Sequence, residues 1–304
     1  MGDIKLFTQT GDRLKEIPGE TYPIEKTLQS LIEKNLEVLF GLRFLATEYS
    51  TGKTHGGRID TLAIDENSSP VIIEYKRAVN ENVVIQGIYY LDWLMEHKAD
   101  YQMLVVNKHG KEELELIDWN TARLLCIASQ FSKYDEHAVN QIDRNIELIR
   151  YKKFGVEMIL LELVNTSTSS QMEISRDQIT KKTYRGDASF AYRFSKLEKE
   201  QVDWFEALKD YIKALGDDVQ EKQVKLYTAF TRITNFACVE VLPQAQKIVI
   251  YLKLSPHTVQ IESGFTRDVT NIGHYGTGDL EITIDSRDDL ERAFPLISKA
   301  YELN

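Results

Sequence analysis

Cysteine, histidine, positive charge and long apolar runs are all scarce in this sequence, and each scarcity removes a class of function. The two cysteines lie in "RLLCIAS" (Cys126) and "NFACVEV" (Cys238). Each sits inside an apolar, strand-like run, so both read as reduced core residues of an intracellular protein. Of the six histidines, none falls into metal-ligand spacing. The longest apolar run, "MILLELV", is too short to span a bilayer, and "MGDIKLFTQTGD" at the start has neither a basic opening nor an apolar signal core. A cytoplasmic protein without a membrane partner is the expectation. Lys and Arg number 37 against 47 Asp and Glu, for a net charge of -10. That balance argues against a general nucleic-acid coat, because phosphate binding depends on local positive charge. Neither half of the chain is basic. The only extended positive segment is "MEISRDQITKKTYRGDASFAYRFSK", 172–196, which reads either as a solvated tether or as a phosphate-tracking stretch.

What is present is an ordinary globular composition. With 304 residues, 42% hydrophobic and 28% charged, and no low-complexity bulk or internal repeat, the chain has enough apolar content for two domains. The small polar run "NTSTSSQ", 165–171, follows the strand-like "VEMILLELV" and marks the boundary. The expected organisation is a first domain over 1–165, a polar and basic linker over 166–195, and a smaller domain over 196–304. In the first domain, "YPIEKTLQSLIEKNLEVLFG" predicts one helix, with Leu28, Leu31, Ile32, Leu36 and Leu39 as its apolar stripe and Gly41 as its end. Strands follow over 43–49, 58–65 and 70–77, then a helix in "NENVVIQGIYYLDWLMEHKA". Further strands are predicted in "YQMLVVN", "RLLCIAS", "IELIRY" and "EMILLEL", with a helix at "KYDEHAVNQI". This order predicts an α/β fold, a sheet flanked by helices. The second domain opens on a helix with Val202, Phe205, Leu208, Ile212 and Leu215 at helical spacing, closed by Gly216.

The segment "GGRIDTLAIDENSSPVIIEYKR", 56–77, holds three charges in otherwise apolar strands. Side chains alternate along a strand, so Glu74 and Lys76 share a face with Ile72, while Val71, Ile73 and Tyr75 take the other. The short "ENSSP" connection predicts a hairpin that lays Asp60 beside Glu74. Burying two carboxylates and an ammonium together is costly unless they pair or bind a cation. The residues alone leave two readings open: a salt-bridged trio that finishes the sheet, or a divalent metal site suited to phosphate chemistry.

The pattern D-x13-E-Y-K, with a Glu-bearing helix before it and a helix carrying Gln86 and Tyr90 after it, resembles the PD-(D/E)XK nuclease superfamily. More closely, it is similar to the catalytic domain of NucS-like endonucleases. The pieces that carry the likeness are "EKTLQSLIEKN", "GRIDTLAID", "PVIIEYKR" and "VVIQGIYYLDWL", in that order, over about residues 20–110. The resemblance implies a restriction-endonuclease-like mixed sheet flanked by helices. It implies Mg²⁺ or Mn²⁺ held by Asp60, Glu74 and the backbone carbonyl of Tyr75, with Lys76 positioning water or offsetting charge at the phosphate. Glu25 matches the family's helix carboxylate and Gln86 its later glutamine; Glu33 and Glu37 are rival carboxylates that read as a solvent-facing helix side. Ile59 stands where the superfamily name has proline. A first catalytic helix starting near residue 23 leaves out the amino-terminal DNA-binding domain of NucS proteins.

The second domain resembles a small α+β domain of unknown function found at the end of bacterial nuclease-like chains, on "FACVEVLPQAQKIVIYLKL", "GFTRDVTNIGHYGTGDLEITI" and "SRDDLERAFPLISKAYE". Its "IGHYGTGD" reads as a loop needing glycine's dihedrals, since it lacks the lysine and the strand-to-helix context of a phosphate loop. His55 and Arg58 read as exposed loop positions, with contact to a substrate phosphate as the alternative. Tyr89, Tyr90 and Trp93 read as core packing, with base stacking as the alternative. The functional expectation is a metal-dependent nuclease acting on DNA, or alternatively RNA. The rival readings are a catalytically inactive nucleic-acid-binding module on the same fold, or an interaction protein that forms a homodimer or recruits a protein partner through the C-terminal domain.

Overall fold

The computed structural model describes residues 4–76, 83–167 and 189–304. Packing divides the chain into two compact units, one of Met1–Val38, Leu42–Asp65 and Ser69–Ser170, the other of Leu39–Gly41, Glu66–Ser68 and Gln171–Asn304.

Unit 1 opens on a hairpin of β1 (Leu6–Thr10) and β2 (Arg13–Ile17), exposed along most of its length and not anticipated by the hydrophobic pattern. There follow β3 (Gly19–Glu20), α1 (Glu25–Glu33) and α2 (Leu36–Phe40), then β4 (Leu42–Ser50), the short α3 (Gly52–His55), β5 (Arg58–Asp65) and β6 (Pro70–Lys76). After them come α4 (Val83–Glu96), α5 (Lys98–His109), β7 (Arg123–Ala128), α6 (Lys133–Val139), β8 (Asn145–Phe154) and β9 (Met158–Ser167). Among the described residues these strands form a 7-stranded mixed sheet in the order β3-β8-β7-β6-β5-β4, with β9 also on β8. The β5–β6 hairpin and β4 are antiparallel, whereas β6, β7 and β8 run parallel. One face, with Leu62, Ile72, Cys126 and Leu148, packs against α4, α5 and α6 through Leu91, Leu94, Val105 and Val139. On the other face, α1 lies against β5 and β6, with Leu28 and Ile32 buried.

Two predicted elements differ. The single helix expected over 22–41 is broken between Glu33 and Leu36, so its apolar stripe is shared by two short helices. "YQMLVVN" is not a strand but part of α5. Its Tyr101 and Val105 are buried four residues apart on one side, and the Tyr101 hydroxyl donates to the Ala63 carbonyl at 2.8 Å. Helical spacing therefore overrides the β-branched composition of this short apolar run.

Most of the expected linker, together with most of the basic segment 172–196, lies outside the described residues; β9 itself continues through Thr166 and Ser167. Unit 2 contains α7 (Phe190–Phe194), α8 (Lys199–Lys213), β10 (Gln220–Gln223), β11 (Thr228–Thr231), β12 (Asn235–Leu242), β13 (Lys247–Leu252), β14 (Thr266–Asp268), β15 (Leu280–Ile284) and α9 (Arg287–Leu303). Its antiparallel sheet runs β10-β11-β12-β13-β15-β14, and the three helices bury Phe190, Phe205, Leu208, Leu290 and Ile297 against one face. The glycine loop joins β14 to β15. Gly278 has φ 143°, and a Cβ there would meet the Leu252 backbone at 2.7 Å, so the glycine serves turn conformation and close approach. The chain thus has the expected class: a mixed sheet flanked by helices, followed by a smaller α+β unit. Cys126 and Cys238 are buried, free thiols. No helix among the described residues is long and apolar enough to cross a membrane.

Candidate active site

Asp60 lies near the start of β5 and Glu74 near the end of β6, strands whose antiparallel register pairs Thr61 with Ile73 and Leu62 with Ile72. That register brings the two acids across from each other. The Asp60 N–H donates to Glu74 Oε1 at 3.1 Å, and the Tyr75 N–H donates to Asp60 Oδ2 at 3.0 Å. Glu74 is fully buried, and its Oε2 has no hydrogen-bond partner. Burial pushes the Glu74 carboxyl up to about 9, with the neighbouring Asp60 charge as the second cause. Asp60 rises to about 6, also chiefly through burial, the Tyr75 N–H and the Lys76 ammonium pulling the other way. The pair is thus short of positive charge at neutral pH. Lys76 closes β6 with Nζ 3.6 Å from Glu25 Oε1, so the first turn of α1 reaches the strand end.

Gln86 does not reach the carboxylates directly. Its Nε2 donates to the Tyr90 hydroxyl at 3.2 Å, and that oxygen also accepts the Arg58 N–H at 3.1 Å, tying α4 to the start of β5. Tyr75 buries its ring on the opposite face, where its hydroxyl lies 3.3 Å from the Thr61 hydroxyl; only its main chain is on hand for the site. Arg58 pairs with Glu48 at 3.2 Å, and His55 Nε2 lies 3.9 Å from Glu96. Tyr90 and Trp93 are buried in the core, whereas Tyr89 is 45% exposed and donates to the His55 carbonyl at 3.0 Å.

One sequence reading is corrected. Glu37 is exposed as expected, but Glu33 does not face solvent: it accepts from the Thr61 hydroxyl at 2.7 Å and from Gln29 Nε2 at 3.0 Å. Gln29, buried and overlooked, also donates to the Asp60 carbonyl at 2.8 Å. The missed signal was a polar stripe. Glu25, Gln29 and Glu33 recur every four residues on α1 beside the apolar stripe, and such residues share a helix side. The predicted strand "IELIRY" stops at Tyr151, whereas β8 continues through Lys152 and Lys153 to Phe154.

The donor set suits a hard divalent cation. Two carboxylates share a strand-paired corner, one of their oxygens is buried without a donor, and unpaired buried oxygens of this kind are costly. Among the described residues no three acidic, histidine or cysteine side chains gather into a metal-holding group, so water and main-chain oxygen would complete the shell, as Mg²⁺ tolerates.

Comparison with known proteins gives a relative, a domain family and two partial structural likenesses. An uncharacterized protein of Haemophilus influenzae is 32% identical over 310 residues, covering 98% of this chain and 100% of that one. A family model described as a domain of unknown function (DUF5655) matches residues 192–304, in agreement with the resemblance read from the second domain. A repair endonuclease from Pyrococcus abyssi is similar at TM-score 0.30 and 19% identity, over 43% of this chain and 48% of that one. A structure of an EndoMS complex with double-stranded DNA is similar at TM-score 0.26 and 18% identity, over 43% of this chain and 47% of that one. The chain thus spans about half the length of each of these two structures.

Proposed function

We propose that this chain, which belongs to the same family as the uncharacterized Haemophilus influenzae protein, is a metal-dependent nuclease of the PD-(D/E)XK kind that hydrolyses phosphodiester bonds in DNA. The observation that carries the reading is the buried Glu74 Oε2, without a donor, on the strand paired with Asp60 and two residues before Lys76. A structural ion pair would be completed by its partners; here two acids stand together with their pKa values raised.

Asp60 and Glu74, with the Tyr75 carbonyl, would hold Mg²⁺ or Mn²⁺, which supplies Lewis acidity toward a phosphoryl oxygen and a more acidic bound water. The chain's own residues do the rest. Lys76, anchored by Glu25, places an ammonium where negative charge develops on the phosphate. Gln29 fixes the Asp60 carbonyl and Glu33 fixes Thr61, so the strand carrying the acid is held from the α1 side. Gln86 and Tyr90 hold the same strand from the α4 side through the Arg58 N–H.

The test is incubation of the purified chain with single-stranded, branched and duplex DNA, and with RNA, in Mg²⁺ or Mn²⁺. Lys76→Met should lower cleavage by about 10²–10³-fold while leaving Ca²⁺-supported DNA binding intact, because the lost charge stabilisation belongs to the transition state. Asp60→Asn should weaken metal binding itself in a calorimetric titration. Absence of metal binding and cleavage in the unmutated chain would instead establish a structural salt-bridged trio.

A further inference from the structure

We propose that Glu48 is a positioning residue of the site, a strained acid that holds the Arg58 guanidinium and the Lys26 ammonium together as a clamp for the phosphate next to the scissile one; this rests on the nuclease reading above.

Two costs coincide at Glu48. β4 pairs Thr47 with Thr61 and Tyr49 with Ile59, so Glu48 falls opposite Asp60 on the neighbouring strand. Like charges directly across a ladder are unfavourable, and Glu48 is among the charges that push the Asp60 carboxyl up. Its backbone is also left-handed, at φ 51°, in the interior of a strand. A residue with a side chain is strained at such an angle, whereas glycine is not. The contacts of the carboxylate offset little of this. Lys26 Nζ lies 2.8 Å from Oε1 and Arg58 Nη1 3.2 Å from Oε2, but the two basic side chains are 54% and 65% exposed, and ion pairs so open to water add little stability. Strain that a residue's own contacts do not offset is the pattern of functional sites.

What the pairs do achieve is placement. Glu25 and Lys26 are neighbours in the first turn of α1; Glu25 reaches Lys76 and Lys26 reaches Glu48, so the helix spans both flanks of the acid pair. Gln29 Oε1 accepts a second bond from Lys26 Nζ at 3.1 Å, fixing the ammonium from the helix side. Arg58 comes from the strand side. It is the first residue of β5, two before Asp60, so its Cα lies about 7 Å from that of the acid along the same strand. One acid between two bases leaves a net positive charge. Glu48 accepts from Nη1 alone, and a guanidinium has further N–H groups to give. Among the described residues Arg58 has no other acidic partner. An exposed guanidinium with donors to spare, held beside an ammonium and two residues from the metal-binding acid, suits the phosphate adjoining the scissile one.

The experiment measures cleavage in Mg²⁺ by the full chain, on oligonucleotides in which one phosphate at a time is replaced by an uncharged methylphosphonate. Glu48→Gly removes the carboxylate and the strain together. Its melting temperature should equal or exceed the parent's, while KM rises about tenfold and kcat changes by less than about twofold, because the lost contact is made equally in ground and transition states. Glu48→Gln, which keeps the side-chain length, should raise KM in the same direction. Arg58→Ala should raise KM about tenfold on the all-phosphate strand, yet leave it unchanged on a strand neutralised at one phosphate flanking the cleaved bond, since both changes remove the same contact. A merely structural role would not produce that non-additivity. A parent that cleaves while all three variants keep its KM would overturn the clamp and leave the nuclease reading standing; so would effects of Arg58→Ala that add fully to those of every methylphosphonate. A parent that neither binds metal nor cleaves any oligonucleotide would overturn the nuclease reading, and the clamp with it.

Discussion

Glu74 and Asp60 are carboxyls whose folded-state pKa values, about 9 and about 6, lie above the ordinary 4.5 and 3.8. A carboxyl raised in this way binds its proton more tightly when folded, so its contribution to stability is fully present below the ordinary pKa and is lost as pH rises through the folded value. In chelator, thermal stability should therefore fall between about pH 4 and about pH 9, and Mg²⁺ should restore it most at the upper end. Glu74→Gln should flatten that slope and remove the metal response; an unchanged slope in this variant would assign the pH dependence elsewhere. Tyr90 makes a second residue-scale case, because its hydroxyl accepts from both Arg58 and Gln86. Tyr90→Phe leaves two donors short of a partner and should cost about 1–3 kcal/mol in urea unfolding. The same variant should lower cleavage, since it loosens the strand that presents Asp60. At the far end of the strands, Arg123 lies buried between Asp65, at 3.3 Å, and Glu147, at 2.6 Å. Arg123→Ala leaves two buried acids facing one another and should cost about 3–5 kcal/mol.

Helix α4 shows how an element is placed by what it lacks. Gly87 lies against Leu124 of β7, and a Cβ added there would approach Leu124 Cδ1 to 2.5 Å. The missing side chain lets the helix rest on the sheet with Gln86 and Tyr90 turned toward β5. Gly87→Ala would gain helix propensity by about 1 kcal/mol, yet overpacking against a buried leucine costs about 1–3 kcal/mol, so the net change should be neutral to destabilising. Its sharper signature is a fall in cleavage with little change in melting temperature, because α4 must shift by a few tenths of an ångström. Helix α1 follows the opposite rule, its polar stripe being as fully engaged as its apolar one. Of the three stripe residues, Gln29 is buried and hydrogen-bonded on the site side, which is why a hydrophobic pattern alone undervalues this helix.

At the scale of the whole molecule, each unit carries its own core. Unit 2 packs Trp204, Phe205, Leu208 and Ile212 of α8 together with α9 onto a continuous antiparallel sheet, and the family match covers the same stretch. A fragment of residues 189–304 should therefore express as a folded domain with a single cooperative thermal transition. Dispersionless amide spectra from that fragment would mean that its core depends on the remainder of the chain. The acidic balance of the whole chain also bears on substrate binding. With net charge -10, affinity for nucleic acid should rest on few phosphate contacts, so log Kd should vary only shallowly with log salt.

The sequence by itself determined the alternation that puts Glu74 and Lys76 on one strand face, and the short connection that turns β5 back on β6. Both are local properties: the side-chain period of a strand is two, and "ENSSP" is a turn composition. It determined α4 and α8 through apolar residues at helical spacing, and the buried, unpaired state of both cysteines through their apolar neighbours. It did not determine that "YQMLVVN" is helical, because a short apolar run satisfies either period and only packing of Tyr101 under β5 chooses between them. Nor did it determine that Gln29 and Glu33 face the site, because whether a polar stripe is solvated depends on which sheet the helix lies against. The gap along β8 between the end of β7 and β3 was beyond any local reading. It arises from strands distant in sequence, β3 and β7, meeting the same edge of β8 without quite meeting each other, and a gap of that kind exists only in the tertiary pairing.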